Sequence, residues 1–274
     1  MARPLWVVNL LKKSFPMRYM GAEMTKWPVV GRLMERALFN GHQTGDALFY
    51  LPKDRVLINQ TIKEQENFIV PSSVVEHFIK EARHVFLMDK CICRDAADCT
   101  NYDHGIGCIF LGEAVLDINP KLGQIVDAET AIAHVKTARE AGLVHLIGRD
   151  KIDAVWMGVK PSEKLMTICN CCSCCCLFKF LPNLAPKLQK KIERMPFVHV
   201  EVTDQCVGCG KCSEDVCFIN AIQMVDGKAV ILEDCRGCGN CAEVCPHGAI
   251  SVLVERSDYT DHAIKRLSEA VDVS

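Results

Sequence analysis

The sequence predicts an α+β chain, in which a mixed, cysteine-rich N-terminal domain is followed by a small module built on an internal repeat. Three observations predict it. Helix-period and strand-like apolar runs alternate over the N-terminal two thirds. All 18 cysteines fall between Cys91 and Cys245, in blocks at 91–108, 169–176 and 206–245. Within the last block one spacing occurs twice, Cys206, Cys209 and Cys212 recurring as Cys235, Cys238 and Cys241.

Taken in order, residues 1–45 read as a basic helical arm. Residues 1–40 hold seven basic and two acidic side chains, and Val30, Leu33, Met34, Ala37 and Leu38 share a helical stripe. Residues 46–181 read as the cysteine-rich α/β-type domain. There Ser73 and Glu76 have capping-box spacing and open a helix that buries Val74, Val75, Phe78, Ile79 and Ala82. Val85 to Met88 reads as a buried strand feeding the first cysteine block. Asp127 is placed to N-cap a helix that stops at Gly142, and strand-like runs follow at 143–147 and 152–157. Pro182, Pro186 and Pro196 bracket a basic, helical linker at 182–196, taken as the domain boundary. The module at 197–254 offers strands near 198–202, 222–225, 229–232 and 250–254, with Asp226-Gly227 turning the middle hairpin. A C-terminal helix occupies 255–274.

Composition excludes several classes. The 32 basic and 34 acidic side chains nearly cancel, so no nucleic-acid partner is expected. No apolar run approaches the roughly 18 residues of a membrane span. Leu5 to Leu11 is too short for a secretory leader and lacks a small-residue cleavage site. The expected setting is a reducing cytoplasm, where such cysteine density points to metal and not to disulfides.

The C-terminal motif is Cys206-x2-Cys209-x2-Cys212-x4-Cys217, then Cys235-x2-Cys238-x2-Cys241-x3-Cys245-Pro246. Three thiolates at two-residue intervals on a glycine-containing loop can wrap one cubane, and the fourth cysteine of each run reaches the other cluster. The spacing assigns Cys206, Cys209, Cys212 and Cys245 to one [4Fe–4S] cluster, and Cys235, Cys238, Cys241 and Cys217 to a second. Residues 197–254 resemble the bacterial-type ferredoxins with two [4Fe–4S] clusters, which implies one-electron transfer between adjacent cubanes. Two departures are the four residues before Cys217 and Phe218 in place of the proline that follows it in that family. Zinc is the alternative that paired C-x2-C motifs allow, and the interleaved repeat argues against it.

Ten cysteines remain upstream: Cys91, Cys93, Cys99 and Cys108 in one block, and Cys169, Cys171, Cys172, Cys174, Cys175 and Cys176 in the other. Six thiols within eight residues cannot all serve packing, and adjacent cysteines make strained disulfides. Metal ligation is the expectation, as one or two further iron–sulfur clusters. The arrangement stays open: two cubanes with two thiols spare, a cubane on the first block with an unusual centre on the second, or two clusters of five. The last is similar to the cysteine-rich catalytic subunit of heterodisulfide reductases, whose non-cubane clusters cleave a disulfide. That family's Cys-Cys-Gly is absent, because Ser173 follows Cys171-Cys172, so no ligand is carried over.

Other residues invite blander readings. His104 is read as a solvated or hydrogen-bonding loop residue, Arg94 as a surface side chain and His145 as core. No nucleotide fingerprint and no catalytic constellation beyond thiolates is present, so catalytic residues are unassigned. The expected function is iron–sulfur electron transfer as a subunit of an anaerobic redox complex, with redox proteins as partners. The alternatives are a reductase acting on a small substrate such as a disulfide at the upstream centre, and metal storage on residues 169–176. The basic arm, with Trp6 and Trp27, is expected to dock within the protein or complex, with contact on the inner membrane face as the alternative.

Overall fold

The computed structural model describes residues 3–39, 47–53, 57–58 and 72–274; the boundary expected between 45 and 46 lies outside them. Twelve strands run as β1 (Ala47–Tyr50), β2 (Leu57–Ile58), β3 (Val85–Met88), β4 (Ile109–Leu111), β5 (Gly123–Val126) and β6 (Val144–Arg149). They continue as β7 (Met166–Cys171), β8 (Ile192–Arg194), β9 (Val198–Val202), β10 (Ile222–Val225), β11 (Lys228–Ile231) and β12 (Ile250–Val254). The main sheet has the order β5-β3-β4-β7-β6-β1-β8, antiparallel except for the β1–β8 pair.

Alternation along these strands sorts side chains onto two faces. Phe49, Leu51, Val85, Ile109, Leu111, Ile147, Met166 and Ile168 point to one. Helices Ser72–Glu81, Ala128–Glu140 and Tyr259–Ser268 cover that face with Val75, Phe78, Ile79, Val135, Tyr259, Ala263 and Leu267, all buried. As the sequence predicts, Asp127 N-caps the second helix by accepting from Thr130 N, and Gly142 follows it with a left-handed φ of 78°. The third helix joins the end of the chain to its first domain, and Arg83 N donates to Val273 O nearby.

The opposite face carries Leu48, Tyr50, Leu146, Phe86, Phe110, Cys108, Cys169 and Cys171. The N-terminal arm lies here, with helices Leu5–Ser14, Arg18–Met24 and Val30–Met34. Arg3 donates to Val155 O, Lys12 pairs with Asp95, and Thr25 Oγ1 accepts from Ala185 N. The described part of the arm therefore rests on the cysteine-rich side of the molecule.

Two local expectations change. The run at 152–157 is helix Lys151–Met157, not strand: Asp150 caps it through Ile152 N at 2.9 Å, and Gly158 ends it with φ 71°. Its start and stop signals outweigh its apolar content. Residues 182–196, expected as a helical linker, contain only a short helix, Pro186–Gln189, and then β8, which pairs with β1 inside the main sheet.

All four strands expected in the repeat module form. β12 pairs antiparallel with β9 and parallel with β2, while β10 and β11 make the hairpin around Asp226-Gly227. Val252 and Val254 extend the core of the main sheet into this module. No helix among the described residues is long and apolar enough to cross a membrane.

Candidate metal centres

The repeat folds its eight cysteines into two groups, each beside its own small cavity. Cys206, Cys209, Cys212 and Cys245 line one, with Met224, Ala229 and Ile250 as apolar wall. Cys217, Cys235, Cys238 and Cys241 line the other, with Val200, Phe218, Ile222 and Ile231. These are the two ligand sets that the interleaved spacing assigns. Backbone amides point at the sulfurs: Ala221 N donates to Cys217 Sγ at 3.2 Å and Ala249 N to Cys245 Sγ at 3.3 Å, the same contact in each half of the repeat. Ala229 N reaches Cys206 Sγ at 3.4 Å and Gly237 N reaches Cys235 Sγ at 3.4 Å. Such donors favour thiolate over thiol and raise the potential of a cluster held there.

Gly208 shows why the loop needs glycine: its φ is +74°, and a Cβ would meet Gly227 O at 2.0 Å. The two groups differ in depth. Cys209 is exposed, whereas burial pushes the Cys238 thiol up to about 12. Thiols so buried are not poised nucleophiles, and a bound cation would be needed to deprotonate them.

The ten upstream cysteines do not group by sequence block. Cys99, Cys172, Cys174 and Cys175 come together, their sulfurs all within 4.8 Å of one another. The remaining six form a second group on the arm-covered face. Cys108 Sγ and Cys169 Sγ are 3.6 Å apart, because β4 and β7 pair antiparallel and set these residues opposite one another. Cys91 interacts with Cys108 and Cys93, and Cys171 with Cys169 and Cys176. Cys176 in turn lies within electrostatic reach of Cys93, and all six line one cavity, around which they make a ring. Local structure explains their direction. Cys169 and Cys171 sit two apart on β7 and share a face, while Cys91 and Cys176 stand at the N-caps of Ile92–Ala96 and of the 3-10 helix Leu177–Asn183.

Every cysteine of this ring lines a cavity of about 610 Å³ whose far wall is the arm, through Val7, Leu11, Phe15 and Met20. Its lining is mostly apolar, a composition suited to a ligand with a hydrophobic body.

Arg94, expected at the surface, is 0 % exposed and lies between the two upstream groups. It donates to Asp103 O at 3.0 Å, to Asn170 O at 2.8 Å and to Ile106 O, and it contacts the Cys172 thiol with Cys91 and Cys108 close by. A guanidinium cannot shed its proton, so its burial requires compensation: carbonyls supply part, and the sulfurs on both sides would add negative charge on binding a cation.

His145 is core, as read from the sequence. Its Nδ1 lies 2.9 Å from Asn170 Oδ1, and burial lowers its pKa to about 4, so the ring is neutral. Asn170 Nδ2 donates to Gly107 O at 2.8 Å, fixing β7 to the first cysteine block. His104 Nε2 is 2.8 Å from Cys99 O, a hydrogen-bonding role.

One residue escaped the sequence reading. Tyr50, on β1, is 1 % exposed and lines the Cys217 cavity, its ring 5.4 Å from that of Phe218. Its pKa is raised well above the ordinary value, first by burial and then by Cys176 and Cys171 on one side and Cys238 and Cys217 on the other. Its hydroxyl has no protein partner. A buried hydroxyl costs about 1–3 kcal/mol when unsatisfied, so a sulfur acceptor from a bound cluster fits this position. The signal was a lone polar group within the apolar run Ala47 to Leu51.

Comparison with known proteins agrees with the C-terminal geometry. Residues 229–251 match the 4Fe-4S binding domain family, a segment that contains Cys235, Cys238, Cys241 and Cys245. The match supports at least one [4Fe–4S] cluster in this chain. No curated protein and no solved structure matches the chain.

Proposed function

We propose that this chain is a multi-cluster iron–sulfur electron-transfer protein, working as a subunit of an anaerobic redox complex. The observation that carries the reading is spatial order. The Cys206 group with its exposed Cys209, the Cys217 group, Tyr50, the six-cysteine ring, Arg94 and the Cys99 group follow one another through the molecule. Clusters at these positions would form a relay with one end at exposed Cys209 and the other at the loop around Cys99, Tyr102 and His104. In the ferredoxin-type module, Cys206, Cys209, Cys212 and Cys245 hold one [4Fe–4S] cluster, and Cys217, Cys235, Cys238 and Cys241 the second. The clusters supply one-electron chemistry when bound. The protein's residues hold them, donate hydrogen bonds to their sulfurs and exclude water from the inner ones.

The test is anaerobic purification with iron and sulfide assay and electron paramagnetic resonance. About eight irons per chain would restrict the protein to its ferredoxin-type pair, about 12 or more establishes upstream clusters, and an iron-free protein refutes the proposal.

The cavity against the six-cysteine ring favours a second reading, in which the upstream centre reduces a small substrate such as a disulfide. A substrate-dependent change in the spectrum of that centre alone would distinguish it from a pure relay.

A further inference from the structure

We infer that the ring of Cys91, Cys93, Cys108, Cys169, Cys171 and Cys176 holds one cluster of eight irons, built as two cubes joined through a shared sulfide. It is separate from a cubane on Cys99, Cys172, Cys174 and Cys175. The inference rests on the reading that the upstream thiolates bind iron and sulfide, and it goes further by fixing how many irons the ring takes.

The argument starts from ligand count. A cube of four irons offers four terminal positions, one for each iron, and four thiolates fill them. The two groups in the repeat module and the Cys99 group each supply that number. The ring supplies six. One cube there would leave two thiols, both against the same cavity as the ligating sulfurs. They are not placed as a disulfide, since the nearest measured pair stands 3.6 Å apart against the roughly 2 Å of an S–S bond.

Chain geometry divides the six into two triads. Cys91, Cys93 and Cys108 come from the N-terminus of Ile92–Ala96 and the entry to β4. Cys169, Cys171 and Cys176 come from β7 and the N-terminus of Leu177–Asn183. The triads meet along the β4–β7 seam at Cys108 and Cys169, and all six residues line the same cavity. Three thiolates per cube leave one iron of each without a protein ligand. Two cubes set face to face across the seam can share a sulfide at those irons, which completes both without any further residue. The cavity of about 610 Å³ lies against all six sulfurs. Arg94, buried beside Cys91 and Cys108, offsets part of the large negative charge that six thiolates and two cubes bring.

The experiment uses the full chain, purified anaerobically, with iron and sulfide assay, Mössbauer spectroscopy and three single variants. The expected count is about 20 irons per chain: eight in the repeat module, four at the Cys99 group and eight in the ring. Cys93→Ser and Cys176→Ser, one from each triad, should change the same spectral component and lower its iron content together. Cys174→Ser should remove about four irons and leave that component intact. The signals of the repeat-module cubanes, retained in every variant, report that the fold survives. About 16 irons per chain, or variants of the two triads acting on different components, would overturn the eight-iron assignment while leaving upstream clusters established. About eight irons would instead remove the reading on which it rests.

Discussion

Tyr50 and Arg94 each sit at a junction between cysteine groups, and they act through different physics. The Tyr50 hydroxyl is buried, without a protein acceptor, between sulfurs of two groups. Tyr50→Phe keeps the ring packed on Phe218 and removes only the donor. One hydrogen bond worth about 0.5–1.5 kcal/mol corresponds to roughly 20–65 mV for a one-electron couple. The expected outcome is a potential lowered by that amount at one flanking cluster, with full iron content, measured by redox titration followed by electron paramagnetic resonance. An unchanged potential at both clusters would mean that the hydroxyl faces neither. Arg94 is a structural charge. Its planar fork reaches three carbonyls, so Arg94→Lys cannot reproduce it, and Arg94→Met strands those acceptors. Losing a buried charge with its partners costs about 3–5 kcal/mol. Both variants should lose upstream iron while the repeat module keeps its cubane signals.

At the scale of elements, the two halves of the molecule were legible to different degrees. In the repeat module the two cysteine groups follow from spacing, because each loop folds on its own residues and the repeat supplies the fourth cysteine. Cys238→Ser should accordingly abolish one cubane signal and spare the other, read by electron paramagnetic resonance. The strands there were legible too, since Asp226-Gly227 fixes the hairpin and alternation fixes the rest. Upstream, the blocks name residues that the structure gathers, but not their company. Cys99 joins Cys172 and not its neighbour Cys108, because pairing of β4 with β7 joins residues 61 apart in sequence. No local period carries that information. Arg94 was misread for the same reason: next to Cys93 it looks like an ordinary helical arginine, and only the approach of Asn170 buries it. The C-terminal helix shows how far such long-range packing extends. Leu267 is wholly buried against the first domain, so Leu267→Ala should cost about 2–5 kcal/mol in denaturant unfolding of the cluster-loaded protein.

At the scale of the whole molecule, the N-terminal arm has two sides. Its inner side walls the cavity; its outer side presents Trp6 at 66 % and Trp27 at 56 % exposure, with Leu10, Val29 and Leu33 also exposed and Lys13, Lys26 and Arg32 among them. Apolar side chains grouped this way mark a contact surface. The double change Trp6→Ser with Trp27→Ser should leave iron content and unfolding unchanged and, on the proposed function, weaken association with a redox complex, measured by co-sedimentation from native extracts. Equal sedimentation would leave the outer side without a binding role. Deleting the arm is a poorer test, because that would also open the cavity.

The mixing of the blocks has a consequence for how the protein matures. Cys108 and Cys169 become neighbours only once β4 lies against β7, so no short stretch of nascent polypeptide could cradle the inner cofactor. If the inner cysteines hold a cluster as inferred, scaffold comes before cargo: the sheet has to form before the inorganic parts find a complete cradle, and a chain still lacking the β4–β7 pairing offers them only half of it.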